Sequence, residues 1–270
     1  MTIIVFFKLK TYCKNLKINK INIKLIIKKI KMILKVKNLN KKLGKKQVLN
    51  DVSFEVEAGE LYGFLWPNGA GKTTTMKNIL GFLDPDSWSI EIFWTSGLTL
   101  KDKEKIGFMP ENTYLYKHLK TKEFLRFNWK FFGLKWDKLE KRIDKVLEKV
   151  WLTDAGDKYL KEFSKWMLQR IWLAQAIINK PKILFLDEPM SWLDPIWRKM
   201  VKNLLSDLKQ DWTTIFFNTH ILSDVESICD RVSIIHKWNI IVSWEKVEKI
   251  LKKSSLEDFF IEKVTQFDEK

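Results

Sequence analysis

The chain has 270 residues, of which 46% are hydrophobic and 30% charged, so it can form one large globular domain or two small ones. No run approaches the roughly 18 apolar residues that a membrane-spanning helix needs, so a protein of this kind that serves a membrane is expected to dock onto another chain. The two cysteines, Cys13 and Cys229, indicate neither a metal site nor a disulfide framework, although the net charge of +16 is large.

The charge is concentrated at the amino terminus, where residues 1–31 contain nine lysines and no acidic residue. One interpretation is a polybasic arm that contacts anionic lipid, at about 1 kcal/mol per lysine. The favoured one is a basic, low-complexity extension produced by a misplaced start codon, because an ordered pattern begins at Met32. The apolar run at residues 3–7 is short and no small-residue cleavage site follows it, so a signal peptide is not indicated.

After Met32, strand and helix signals alternate, which favours an α/β fold with a mainly parallel sheet. Residues 61–65 read as a buried strand that leads into a predicted phosphate-binding turn and helix. Lys72 is predicted to reach the β- and γ-phosphates of a nucleotide, and the Thr73 hydroxyl to bind Mg²⁺. The P-loop pattern requires glycine at position 66, where tryptophan stands. The predicted ATP-binding segment comprises Trp66, Pro67, Asn68, Gly69, Ala70, Gly71, Lys72, Thr73 and Thr74.

Four further segments occur downstream in a fixed order. They are residues 163–170 (FSKWMLQR), 181–189 (PKILFLDEP), 190–194 (MSWLD) and 218–220 (NTH). These segments resemble the signature sequence, the Walker B strand, the D-loop and the switch histidine of ABC transporter ATP-binding subunits. The resemblance extends from residue 32 to about 245.

The resemblance implies an ATPase that converts ATP and water to ADP and phosphate, with ATP and Mg²⁺ as cofactors. Glu188 is expected to act as the general base, Lys72 to hold the phosphates and His220 to contact the γ-phosphate. The expected Mg²⁺ ligands are Thr73, Asp187 and Glu111.

The resemblance also implies a dimer, either of two copies or with a second ABC ATPase. The signature residues Ser164, Lys165, Trp166 and Met167 are expected to close on ATP held by the other subunit, and Asp194 of the D-loop to couple the two sites. A membrane permease on a separate chain is expected to hold the protein at the cytoplasmic face of the membrane. No nucleic-acid partner is expected. The form of the signature, Glu111 and the ending at residues 255–260 (SLEDFF) together resemble ATPases of ABC-2-type exporters.

The expected architecture is a P-loop NTPase core with a small antiparallel β-subdomain and an inserted helical subdomain. The ATPase domain covers residues 32–245, its helical subdomain about 112–162, and a charged tail 246–270. Aromatic residues in the helical subdomain are interpreted as core; they are Phe124, Phe127, Phe131 and Phe132.

Tryptophan is unusually frequent, with 13 residues against 10 glycines. The family pattern has glycine at Trp66, Trp166 and Trp192. It also suggests glycine at Trp88, Trp94, Trp151, Trp172, Trp197, Trp212, Trp238 and Trp244. Polar turns such as residues 211–213 suit glycine, which reaches positive φ without a Cβ clash. The favoured hypothesis is that UGA codons meaning glycine in the source organism were translated as tryptophan.

Two alternatives stay open. If the tryptophans are real, the chain is a catalytically dead ABC-like binding module, because an indole at 66 or 166 obstructs the approach of phosphate to backbone N–H groups. A non-transport ABC ATPase is the other alternative. It is disfavoured because such proteins usually have two cassettes or a long coiled-coil insertion, and this chain has one cassette.

Overall fold

The computed structural model describes residues 32–65, 71–111, 115–130, 139–191 and 193–269, so the expectations for residues 1–31 lie outside the described residues. Within these ranges the strands form one four-stranded and one six-stranded sheet. The strands are β1 (Met32–Leu43), β2 (Lys46–Glu57), β3 (Leu61–Leu65), β4 (Ser87–Ile92), β5 (Thr95–Ser96), β6 (Ile106–Met109), β7 (Ile183–Asp187), β8 (Thr214–Thr219), β9 (Arg231–His236) and β10 (Asn239–Lys246).

The helices flank these sheets. They are α1 (Lys72–Ile79), α2 (Leu100–Lys103), α3 (Thr121–Lys130), α4 (Leu139–Lys149), α5 (Lys165–Ile177), α6 (Pro195–Gln210), α7 (Leu222–Ile228), α8 (Val247–Leu251) and α9 (Leu256–Asp268), with 3₁₀ turns at Thr153–Ala155 and Leu160–Glu162. None of the helices in the part of the chain that the structure describes has both the length and the apolar character of a membrane span.

The six-stranded sheet has the order β10-β9-β3-β8-β7-β6, and its strands are parallel except for the β9–β10 pair. Strands β3, β7 and β8 are buried along their whole length, which explains their continuous apolar sequences. The four-stranded sheet is antiparallel, in the order β2-β1-β4-β5. The predicted fold class is therefore confirmed.

The core lies on both sides of the large sheet. On the side facing the antiparallel sheet, the rings of Phe54, Tyr62, Phe64 and Phe216 pack with centroids 5.2 to 5.9 Å apart. On the other side, α5 and α6 pack against the sheet, and α3 and α4 pack on α5, around buried aliphatic residues. This packing fixes the strands whose ends form the site described below.

Helices α3 and α4 are joined by a bidentate ion pair, in which Arg126 Nε and Nη2 lie 2.6 and 2.8 Å from the Glu140 carboxylate. Of the aromatic residues interpreted as core, Phe124 is buried, whereas Phe127 is 42% exposed and that part of the interpretation is wrong. Phe127 contacts the Tyr116 ring at the surface instead. Phe131 and Phe132 lie outside the described residues.

Candidate active site

The register of the parallel sheet brings the predicted site residues to one edge. Leu65, the last residue of β3, pairs with Thr219, and Asp187, the last residue of β7, pairs with Asn218. Met109 at the end of β6 pairs with Leu186. The segments that follow these strands therefore leave the sheet side by side, at the carboxyl edge where α/β proteins bind ligands.

Helix α1 places Lys72, Thr73 and Thr74 in its first turn. Gly71 occupies the N-cap with φ of 97°, and a Cβ there would lie 2.5 Å from the carbonyl oxygen of Val48, so only glycine fits. The first turn of a helix has N–H groups without acceptors inside the helix, and together with the positive end of the helix dipole such groups suit an anion. The remaining predicted ATP-binding residues, which lie outside the described residues, are Trp66, Pro67, Asn68, Gly69 and Ala70.

Asp187 is a buried carboxylate, 1% exposed, at the end of β7. Its oxygens accept hydrogen bonds from Thr73 Oγ1 at 3.3 Å and from Asn218 Nδ2 at 3.2 Å. Burial raises the pKa of Asp187 from 3.8 to about 6, against the lowering effects of the Asn218 hydrogen bond and the Lys72 charge. A desolvated carboxylate of this kind gains most from a nearby cation.

Glu188 is the centre of the hydrogen-bond network. Its carboxylate is 2% exposed and lies 3.3 Å from Lys72 Nζ. His220 contacts the same oxygen, Oε1, through its backbone N–H at 3.1 Å and its ring Nδ1 at 2.7 Å. Thr219 Oγ1 donates to the other oxygen at 3.4 Å. Glu188 has a φ of 53°, a conformation that costs about 1–3 kcal/mol and persists only where the surroundings impose it.

Glu111, which follows β6, completes this group of side chains, with its Oε2 3.6 Å from Lys72 Nζ. Six predicted residues thus lie together at the edge of the sheet: Lys72, Thr73, Glu111, Asp187, Glu188 and His220. Sequence reasoning missed Gln169, whose Nε2 donates to the Glu188 carbonyl at 3.1 Å. It lies within the signature segment, but no pattern indicated that its side chain turns toward β7.

The signature and D-loop residues start two helices. Ser164 caps α5 and accepts from the Met167 N–H at 3.3 Å, with Lys165 and Trp166 in the first turn. Asp194 caps α6 and accepts from the N–H groups of residues 196 and 197 at 2.9 and 3.1 Å. Trp166 is 43% exposed, and Trp192 lies outside the described residues.

Among the tryptophans that the structure describes, five have the left-handed backbone conformation that favours glycine. They are Trp94, Trp151, Trp212, Trp238 and Trp244, with φ between 55° and 69°. Others at suggested glycine positions, Trp166, Trp172 and Trp197, lie in α5 and α6. Trp129, for which the family pattern gives no assignment, is buried in α3.

Comparison with known proteins agrees with this geometry. Residues 49–191 match the ABC transporter family. An ABC transporter ATP-binding protein of Synechocystis is 40% identical over 206 residues, which cover 76% of this chain and 58% of that protein, so the match spans less than two thirds of the relative. The lantibiotic transport ATP-binding protein SrtF of Streptococcus pyogenes is 36% identical over 79% of this chain and 91% of its own length.

A solved structure of the ATP-binding subunit of an ABC transporter superposes with a TM-score of 0.78 at 29% identity, covering 86% of this chain and 99% of the other. The family match covers more than half of the chain, and the SrtF relative is matched along most of its length. The chain therefore belongs to the family of ABC transporter ATP-binding subunits.

Proposed function

We propose that this chain binds and hydrolyses ATP and drives transport through a membrane permease on a separate chain. The observation that carries the proposal is the meeting of Lys72, Asp187, Glu188 and His220 at the carboxyl edge of the sheet, beside the first turn of α1. These residues supply a cation for phosphate, a carboxylate for a metal ion and a carboxylate for an attacking water. Phosphoryl transfer needs little beyond such positioning and charge.

The contacts of Lys72 suggest how nucleotide binding prepares the site. Its ammonium group lies between the carboxylates of Glu188 and Glu111, at 3.3 and 3.6 Å. The phosphates of ATP, bound at the start of α1, compete for this ammonium group. Glu188 then has an oxygen available for the proton of water, while Thr219 and His220 hold its carboxylate in place.

Oxygen donors in the site fit Mg²⁺. Within the described ranges, no group of three or more His, Cys, Asp or Glu residues is arranged to hold a metal by itself. Mg²⁺, however, is commonly bound by one or two protein oxygens together with substrate phosphates. Thr73 Oγ1 and the Asp187 carboxylate are such a pair, 3.3 Å apart, and Glu111 supplies a further carboxylate nearby. Bound Mg²⁺ would neutralise phosphate charge during the transfer.

We further propose that the working form is a dimer, of two copies or with a second ABC ATPase, that holds ATP between its subunits. Ser164 starts α5 with its side chain turned back to cap its own helix, and Asp194 does the same for α6. The start of α5 presents the positive end of the helix dipole, which suits an anion held by the other subunit. At the start of α6 the N–H groups of residues 196 and 197 are already bonded to Asp194, so this helix start supplies a carboxylate rather than an anion site.

The tryptophans at suggested glycine positions are proposed to be glycine in the native protein. Trp151 and Trp212 each follow a helix at the C′ position of a Schellman motif, where glycine is preferred. Gly81 occupies the same position after α1, with φ of 69°. Peptide mass spectrometry of the native protein should find glycine at 66, 166 and 192; tryptophan there would favour the inactive binding module instead.

The transport role is proposed from the family and from SrtF, whose name assigns it to lantibiotic transport. The similarity to SrtF, the exporter-like signature at Ser164 and the presence of Glu111 together support export through an ABC-2-type permease. The protein then acts at the cytoplasmic face of the membrane, held there by the permease, and needs no nucleic acid.

The test uses a glycine form, defined as the chain with glycine at the eleven assigned tryptophan positions. Changing Glu188 to Gln in this form should retain ATP binding and lower turnover by about 10²–10⁴, the usual effect of losing a general base. Isothermal titration and phosphate release measure the two quantities. Turnover unchanged by Glu188→Gln would overturn the assignment of the base.

The same variant tests the dimer. With ATP trapped, gel filtration should give a dimer, and without nucleotide a monomer. Adding Ser164→Arg should abolish the dimer but not ATP binding, because only the half-site offered to the other subunit is blocked. A monomer at saturating ATP and Mg²⁺ would refute the shared site for the isolated subunit.

A further inference from the structure

Asp224 is a buried carboxylate outside the nucleotide site, 1% exposed, on the first turn of α7. Two cations from α6 contact it: Arg198 Nη2 lies 3.3 Å from Oδ2, and Lys202 Nζ lies 2.9 Å from Oδ1. Burying a carboxylate is costly unless it is paired, so the contact between these two helices depends on this charge.

The two helices continue directly from two functional segments. Arg198 is one turn beyond Asp194, and its N–H donates to the Asp194 carbonyl at 2.9 Å. Asp224 is four residues beyond His220, whose ring contacts Glu188. The ion pair therefore joins the start of the D-loop helix to the segment that carries the switch histidine.

We infer that Asp224 is a positioning residue that couples the D-loop to the switch histidine, so that both move as one unit when ATP binds. The inference rests on the proposed ATPase function. Short side chains such as Asp adjust little, and the ion pair holds α6 and α7 at a fixed separation. Arg198 and Lys202 are 27% and 23% exposed, so both can turn toward solvent when the carboxylate is lost. Loss of Asp224 should therefore loosen the link without unfolding the chain.

The first test is Asp224→Asn in the glycine form, which keeps the shape of the side chain and removes its charge. The kcat should fall roughly 10- to 10²-fold, the effect expected when catalytic groups are misplaced by about 1 Å. The KM for ATP should change less than about twofold, because Lys72 and the first turn of α1, which are proposed to bind the phosphates, are not altered. Activity in the unaltered glycine form checks the proposed function separately. A kcat unchanged by Asp224→Asn in an active glycine form would overturn the inference.

The second test needs neither nucleotide nor activity. Amide hydrogen exchange in Asp224→Asn should become faster in residues 193–199 and 219–228 together, because both segments lose their common tie. Faster exchange confined to residues 219–228 would overturn the coupling, since the carboxylate would then serve α7 alone.

Glu60→Gln is the matched control. Glu60 is 7% exposed and its Oε2 lies 2.8 Å from Arg231 Nη1, so it is also a buried carboxylate paired with a cation. It precedes β3 and so lies at the amino edge of the sheet, away from the nucleotide site. This variant should leave kcat and the exchange of both segments unchanged. If it lowered kcat as much as Asp224→Asn, the effect would reflect general destabilisation and the positioning role would be refuted.

Discussion

Trp212 gives a direct physical test of the glycine hypothesis. It follows α6 with φ of 64°, and its N–H donates to the Lys209 carbonyl while the Thr213 N–H donates to the Leu208 carbonyl, both at 2.9 Å. This pair of hydrogen bonds defines a Schellman motif with tryptophan at C′. A residue with a Cβ costs about 1–2 kcal/mol in the left-handed conformation, and glycine avoids this cost.

Replacing Trp212 by glycine alone does not isolate that cost. The ring is 62% exposed, so little more than a third of its area is buried. Losing the contacts of that third costs on the order of 2 kcal/mol, which offsets the relief of the backbone. The informative quantity is the difference between Trp212→Gly and Trp212→Ala, because both variants lack the ring. Glycine has the larger conformational entropy in the unfolded chain, which reduces its advantage. The free energy of unfolding of Trp212→Gly should therefore exceed that of Trp212→Ala by about 1 kcal/mol.

Trp166 supplies the control, since it is 43% exposed but lies in α5. At this position Trp166→Ala should be more stable than Trp166→Gly by up to about 1 kcal/mol, because glycine is a poor helix former. Urea unfolding followed by far-UV circular dichroism measures all four variants. Equal stability of glycine and alanine at position 212, or glycine favoured equally at both positions, would refute the backbone argument.

Three further predictions concern the site. Burial raises the Asp187 pKa to about 6, so the folded chain binds a proton at this carboxyl more tightly than the unfolded chain does. The stability that this proton contributes is therefore lost as the pH rises from about 4 to 6. Asp187→Asn should therefore raise the free energy of unfolding at pH 7.5 by up to about 3 kcal/mol, and urea titrations should show this gain shrinking toward pH 4. In the glycine form, Gly71→Ala should abolish ATP binding by titration calorimetry, because its Cβ meets the Val48 carbonyl. Gly97→Ala in the same form, with φ of 75° and no atom within 4 Å of the added Cβ, should keep binding. Asp194→Ala should lower the thermal stability of the nucleotide-free chain by about 1 kcal/mol through loss of its cap on α6, and an unchanged melting temperature would contradict the capping role.

The sequence predicts the site well where chemistry and periodicity coincide. The apolar run that ends in Asp187 and Glu188 is typical of a buried strand with polar groups at its end, and the parallel register then fixes which segments lie beside it. Phe127 shows the limit of this reasoning, because an aromatic residue at helical spacing does not reveal which face of α3 meets the core.

The contacts of Gln169 and Asp224 could not be predicted for a different reason. Gln169 reaches the carbonyl of Glu188, which is 19 residues away, and Asp224 meets Arg198 across 26 residues. Both contacts depend on how two helices pack against the sheet. A single sequence gives the polar character of these residues but not the direction in which each side chain turns.

The distribution of the tryptophans bears on their origin. At 66 and 166 glycine is expected from the resemblance, because phosphate would have to approach the backbone there. At 151 and 212 the structure favours glycine because φ is positive. These are independent physical requirements at separate places in the chain. Loss of nucleotide binding in an inactive relative would relax the first requirement and leave the second intact, since the helix ends must still form. Tryptophan at both kinds of position therefore favours a cause that acts on every affected glycine codon alike, which is what a reassigned UGA would do.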